Sequence, residues 1–337
     1  MVVGLRVRPI EELALRRQGE TAVGYKVAPI PLPLPSTFAG ALAAAGWARN
    51  PGCSRGLGRV ERARNCIRAL GLDVEYIRGP YLTNSCGVYI WAWDKLIRLD
   101  TCLIRDWLKY QENNVAPGKR AYRKMGDEEA GKYRALIYTP EQVHRPGVRL
   151  DRERKVVHEE DGALFSVPYV GYRVDMGDTV LYEAFGEGGL SGAIPVRLGG
   201  EQRMALIEQA EPAVYKLLEA EWGGRTGGDA LLIVGSPLLI DSFGEDPRKL
   251  FLQAIEGLDS VESAHEIYSV HPEARQQVAP IYPGFDEVKG VKEKYRLALL
   301  PGAMIQARIR DWRAVYREGA GVYREIGYGT LLPIPVK

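Results

Sequence analysis

An α+β fold made of two successive βαββαβ units, with loop and hairpin insertions in the first, is predicted by three observations. The last third reads strand, helix, two strands, helix, strand in that order. The two halves each close on a Gly-rich turn just before an apolar strand: VRLGGEQRMALI, Val196 to Ile207, and VYREIGYGTLLPIP, Val322 to Pro335. The chain of 337 residues is long enough for two cores of ordinary size.

The first strand is VVGLRVR, Val2 to Arg8, alternating and stopped by Pro9. The proline run Pro29 to Pro35 delivers the chain in extended form to STFAGALAAAGW, where Ser36 or Thr37 caps a helix whose body ends near Gly46. Small residues Ala39, Gly40 and Ala43 let this helix pack closely or admit a backbone from outside. A helix over Glu61 to Leu70, strands at Asp73 to Arg78 and Gly87 to Ala92, and a helix near Asp100 to Tyr110 follow. Asn113 to Gly131 reads as a surface insertion, with a strand at Arg134 to Tyr138 and a long hairpin over 148–185 beyond it.

In the last third, DALLIVG (Asp229 to Gly235) is the first strand, and Asp246 followed by Pro247 starts a helix to Gly257. Val261 to Val270 is a strand. Tyr295 to Leu300 with Met304 to Ile309 supply a bent or paired one. A short helix over Asp311 to Gly319 and a strand over Thr330 to Ile334 complete the unit, which is the order of the ferredoxin-like (RRM-like) fold. Two tandem units are expected, 1–210 and 211–337.

Composition is that of a soluble globular protein, with 46% hydrophobic and 26% charged residues and no uncharged apolar run long enough to span a bilayer. The start carries charge within six residues and lacks the pattern of a signal peptide, so no membrane partner and a cytoplasmic location are expected. Cys53, Cys66, Cys86 and Cys102 show no CxxC spacing; free thiols are expected, and a disulfide only in a hyperthermophile host.

Charge is uneven. Residues 1–125 hold 20 Lys+Arg against 10 Asp+Glu, and residues 126–337 hold 25 against 33, so the front of the chain is basic. Arg49, Arg55, Arg59, Arg62, Arg64 and Arg68 crowd around the single acid Glu61. Guanidinium forks match phosphate oxygens, so the stretch suits a polyanion; a salt-bridged, solvated face fits it equally well.

The STFAGAL segment after prolines, the hairpin RPGVRLDRERKVVHEEDGALF (Arg145 to Phe165) followed by Tyr172 and Arg173, and the two Gly-rich turns occur in that order over nearly the whole chain. Together they resemble the third-subunit family of the Cmr complex, the type III-B CRISPR effector, within the RAMP superfamily. Arg154, Asp161 and Phe165 depart from the usual Thr, Glu and Tyr, and the GAMIQ stretch Gly302 to Gln306 replaces a Gly-Ser-Val-type strand.

The resemblance implies a non-catalytic subunit gripping the 5′ repeat-derived tag of CRISPR RNA, docked to the large polymerase-like subunit and to the first helical-backbone RAMP subunit. Its motif positions here are Ser36, Thr37, Gly40, Arg149, Arg152, Lys155, Gly199, Gly200, Arg203, Gly327, Tyr328 and Gly329. Glycine backbones and a helix start can meet phosphates, and Tyr328 can stack on an unpaired base or pack on its own sheet.

No cofactor or metal is expected. RTGGDAL, Arg225 to Leu231, has Ala230 where paired carboxylates would need a second acid, and no protease, hydrolase or P-loop pattern occurs. The alternative is a RAMP-type endoribonuclease processing CRISPR RNA precursors, for which His158 is the best of four histidines, though Glu159 and Glu160 beside it repel RNA. A scaffold whose acidic second half docks a basic partner is a third reading.

Overall fold

The computed structural model describes residues 1–15, 30–54, 58–92, 95–114, 131–133, 135–148, 164–173, 176–200, 203–241, 246–270, 277–286 and 291–336. Arg55, Arg149, Arg152, Lys155 and His158 lie outside them, as do Arg154, Asp161 and His271.

In the first unit β1 (Val2–Pro9) leads to α1 (Pro35–Arg49) and α2 (Arg59–Arg68), then to β2 (Leu72–Asn84). An insertion follows, with β3 (Gly87–Ala92), β4 (Lys95–Arg98), α3 (Thr101–Asn114), β5 (Ile137–Tyr138) and the hairpin β6 (Glu141–Val148) and β7 (Leu164–Gly171). The unit resumes with β8 (Thr179–Gly188), β9 (Ile194–Arg197) and β10 (Met204–Ala210). The sheet runs β5-β4-β3-β2-β8-β1-β10-β9. Its middle, β2-β8-β1-β10, is the strand order of a ferredoxin-like unit. Among the described residues the second helix of that unit is absent: the path from β8 to β10 runs through β9, across a Gly-rich segment poor in helix formers.

The second unit opens with α4 (Ala213–Trp222), followed by β11 (Gly228–Val234). Next come β12 (Leu238–Ile240), α5 (Pro247–Glu256), β13 (Val261–Ser269), β14 (Val278–Ile281), β15 (Phe285–Asp286), β16 (Val291–Lys292) and β17 (Arg296–Leu299). It ends with β18 (Ala303–Ile309), α6 (Trp312–Glu318) and β19 (Leu331–Pro335). Its main sheet, β13-β18-β11-β19, is again the ferredoxin-like order. The expected α+β architecture of paired ferredoxin-like units is thus present, and each Gly-rich turn immediately precedes the fourth strand of its unit.

Local rules account for the elements. Val3, Leu5 and Val7 are buried while Arg6 and Arg8 are exposed, the period of a one-sided strand. The central β11 is buried on both faces from Ala230 to Val234. Asp246 caps α5 by accepting from the Arg248 and Lys249 amides at 3.1 and 3.4 Å, and Asp311 caps α6 through Arg313 N–H at 2.8 Å.

Several expectations need correction. Neither Ser36 nor Thr37 caps α1: Leu34 is the N-cap, its carbonyl accepting from Thr37 and Phe38, because the helix begins one residue early at Pro35. The helix also runs past Gly46 to Arg49: Gly46 is an interior helix position whose missing Cβ lets α1 approach the Cys66 carbonyl, and not a stop. The long hairpin splits: β6 pairs with β7, while β8 joins the main sheet. Residues 296–299 and 303–309 are separate strands in different sheets, β17 pairing with β12 and β14. Cys53 and Cys66 form a disulfide, with Cα atoms 5.0 Å apart, tying the turn Pro51–Ser54 to α2. Cys86 and Cys102 are free and exposed.

The two cores trade side chains. Tyr81, Ile90, Leu181 and Phe185 of the first unit pack with Trp222, Trp312 and Tyr316, whereas Leu239, Ala298, Ile326 and Tyr328 of the second pack with Phe38, Ile77 and Tyr182. Among the described residues no helix is long and apolar enough to cross a membrane.

Candidate nucleic-acid interface

The predicted site residues gather in two places. At the junction of the units, Ser36, Tyr328 and Arg59 meet. Gly327 and Gly329 adopt φ of +106° and +62°, and a Cβ on Gly329 would lie 1.7 Å from the Ala320 carbonyl oxygen. The turn therefore demands glycine for backbone reasons alone. Between them Tyr328 is fully buried. Its hydroxyl donates to the Pro283 carbonyl at 2.9 Å and accepts from Ser36 Oγ at 3.0 Å. Burial pushes the phenol up to about 12. The ring is closed to a base; it is a bolt between α1 and the second unit, so stacking on RNA is corrected to packing.

The start of α1 is covered as well. A Cβ on Gly284 would touch Ser36 Oγ at 3.1 Å and Arg59 at 2.6 Å, so the 283–284 backbone lies directly over Ser36. Arg59 turns inward: it donates to the Pro283 carbonyl at 3.3 Å, sits 3.7 Å from the Glu293 carboxylate and lies over the Tyr323 ring. Tyr323 is the non-glycine residue with positive φ among those described, at 61°. Arg296 covers it too, 4.8 Å from the centroid, and pairs with Asp241.

The arginine-rich stretch is mostly committed to the protein. Arg62 is buried, Arg64 donates to the Val74 carbonyl at 2.7 Å and Arg68 pairs with Asp73 at 2.8 Å. Arg49 is exposed at the end of α1, beside the half-exposed Trp47. Thr37 is half-buried, and Gly40 faces open space, with nothing within 4 Å of where a Cβ would stand.

The second place is the foot of the β6–β7 hairpin. Gly199, at φ +82°, has the Ala14 carbonyl 2.8 Å from where a Cβ would stand, and Gly200 N–H donates to that same carbonyl at 2.9 Å. Arg203 pairs with Glu11 and lies 4.6 Å above the Tyr169 ring, with Arg145 on the same ring at 5.5 Å. The Arg203 guanidinium holds the Glu11 carboxyl below its ordinary value.

His144 and His265 are exposed on β6 and β13. No three His, Cys, Asp or Glu side chains converge among the described residues.

Sequence reasoning missed the buried pair Arg78 and Glu183, and Tyr323. Nothing in a strand reading YIRGP marks its arginine as interior; Arg6 and Arg8, by contrast, were readable as the outer face of an alternating strand.

No protein-family model and no curated protein sequence matches the chain. Solved structures do. A chain of the type III-B Cmr-beta complex bound to cognate target RNA, seen by cryo-EM, superposes with a TM-score of 0.58 at 19% identity, over 97% of this chain and 96% of that one. A chain of the same complex with target RNA and AMPPnP gives 0.57 at 18%, over 98% and 99%. The chain shares their fold from end to end.

Proposed function

We propose that the chain is a RAMP-superfamily, RNA-binding subunit of a type III-B CRISPR ribonucleoprotein. The observation that carries this is the end-to-end likeness to a chain of a Cmr-beta complex that holds target RNA. The ordered motifs from STFAGAL to the GYG turn support it independently. In this reading the subunit holds the 5′ repeat-derived tag and contacts the large polymerase-like subunit and the first backbone subunit, without chemistry of its own.

In this reading the motif residues divide the work. Gly327, Tyr328, Gly329, Ser36 and Arg59 hold the two units together, and the exposed Gly40 and Arg49 are the ones that meet RNA. Such binding rests on phosphate contacts and weakens steeply with salt.

Co-purification from the host cell, with bound nucleic acid sequenced and partners weighed, tests the reading. Repeat-tagged CRISPR RNA with a large polymerase-like subunit is the expected result. Recovery of the chain alone, free of RNA, would sink it. Cleavage of precursor RNA that vanishes in a His158→Ala variant would instead establish the endoribonuclease.

A further inference from the structure

One face of the first sheet is covered unevenly. On the β2 and β8 side, Tyr81, Leu181, Glu183 and Phe185 are buried under the second unit. On the β1, β10 and β9 side the same face is open: Arg6 and Arg8 have side chains 46% and 57% exposed, and Arg197 and Pro195 are exposed on the edge strand. The register places Arg6 opposite Glu208, Arg8 opposite Leu206, Leu206 opposite Pro195 and Met204 opposite Arg197. Three arginines therefore share one patch with one acid.

Glu208 sits 3.0 Å from Arg6 and 3.9 Å from Arg8. It can neutralise only one of them, and among the described residues Arg197 has no partner. Arg6 and Arg8 are about 6.6 Å apart along the strand, and Arg197 stands two strands away, about 10 Å across. Between them lie the half-buried Leu206 and Met204.

We infer that this open face is a path for a single RNA strand, phosphates meeting Arg6, Arg8 and Arg197 and bases lying on Leu206 and Met204. Charge complementarity sets the occupant: the patch carries a surplus of two positive charges, and every cation in it is Arg, whose planar fork both pairs with phosphate and stacks on bases. The surplus stops at the hairpin foot, where Arg203 and Arg145, which flank Tyr169, are each paired with an acid, Glu11 and Glu12. The inference rests on the RNA-binding reading and adds a route across the sheet that none of the motif residues occupies.

The test uses the full chain and a labelled single-stranded RNA of mixed sequence, titrated at several salt concentrations. Replacing all three arginines (Arg6→Gln, Arg8→Gln, Arg197→Gln) should weaken binding about tenfold or more and reduce the log-log salt slope by about 2, three contacts at roughly 0.7 each. Arg197→Gln alone, safe for folding, should reduce the slope by about 0.7. Glu208→Gln should tighten binding. If the wild type binds RNA and both arginine variants keep its affinity and slope, this route is overturned while the RNA-binding reading stands. If the variants keep RNA but no longer assemble with protein partners, the face is a protein interface and the inference also falls. If the wild type binds no RNA, alone or in the assembly purified from its host, both readings fall together.

Discussion

Arg78 and Glu183 are register partners across the β2–β8 pairing, yet each answers the second unit and not the other. Arg78, fully buried, donates to the carbonyls of Tyr316 and Arg317 at 2.9 Å and of Arg324 at 2.7 Å, capping the negative end of α6. Glu183 accepts from the Val214 amide at 2.7 Å, from Tyr215 at 3.1 Å and from the Tyr316 hydroxyl at 2.6 Å, meeting the positive end of α4. Two buried charges of the first sheet thus clamp the ends of two helices in the other unit.

Removing the cation should loosen that clamp. Arg78→Met fills similar volume but takes the guanidinium donors from the Tyr316 and Arg317 carbonyls and leaves Arg324 only the Gly327 amide, and a loss of about 3 kcal/mol or more is expected. Burial lowers the Arg78 pKa to about 10, so it is still charged at neutral pH and Arg78→Lys keeps the charge. Lysine cannot span the three carbonyls, so most of the loss should persist. Denaturant midpoints decide it: a loss below about 1 kcal/mol would remove Arg78 from this role.

Glu183 gives the fold a pH dependence. Burial raises its pKa from 4.5 to about 7, overcoming the pull of its three donors. A carboxyl raised by folding contributes fully below its unfolded value and loses that contribution as pH climbs through the folded one. Stability should therefore fall by about 3 kcal/mol between pH 4.5 and 7.5 through this group. Glu183→Gln should flatten that part of the curve; unfolding titrations of the two proteins that run parallel across the window would refute the assignment.

How far the sequence carried differs by element. In the second unit the helices at 247–256 and 312–318 were readable because Asp246-Pro247 and Asp311 are local start signals that tertiary structure did not override. The helix 213–222, the strands 238–240 and 278–281 and the separation of 296–299 from 303–309 carry no such signal. Arg78 and Tyr328 were not readable. Their positions depend on contacts with residues more than 200 places away, Tyr316 and Ser36, which no periodicity encodes. The arginine run left two readings open, a polyanion site and a salt-bridged face, because composition shows six cations but not that Arg59, Arg64 and Arg68 find carbonyls and carboxylates of their own fold.

The Cys53–Cys66 bridge closes a loop with a sequence separation of 13 and should contribute about 3 kcal/mol by restricting the unfolded chain. Cys53→Ala with Cys66→Ala should lower the melting temperature, and the double variant should no longer respond to reductant. A wild-type melting temperature indifferent to reductant would show the bond adds little.

Tyr328→Phe separates bolt from base platform. It keeps the ring and removes the hydroxyl that joins Ser36 to Pro283, so a loss of about 1–2 kcal/mol in stability is expected, with RNA affinity unchanged. A drop in affinity at constant stability would mean the phenol reaches RNA after all.

Gly40 and Gly329 make the sharpest contrast, since both belong to the family-like motifs and only one is constrained by the fold. Gly329→Ala forces a left-handed φ of +62° and a collision with the Ala320 carbonyl, and at least about 2 kcal/mol should be lost. Gly40 lies in α1 at ordinary helical geometry with open space above it. Gly40→Ala should therefore stabilise the isolated chain by about 1 kcal/mol. If an RNA backbone or a neighbouring subunit passes over that turn of α1, the same methyl group should weaken its binding while the melting temperature rises. Opposite signs in the two measurements would place a ligand on Gly40; gains in both would leave its glycine without a binding role.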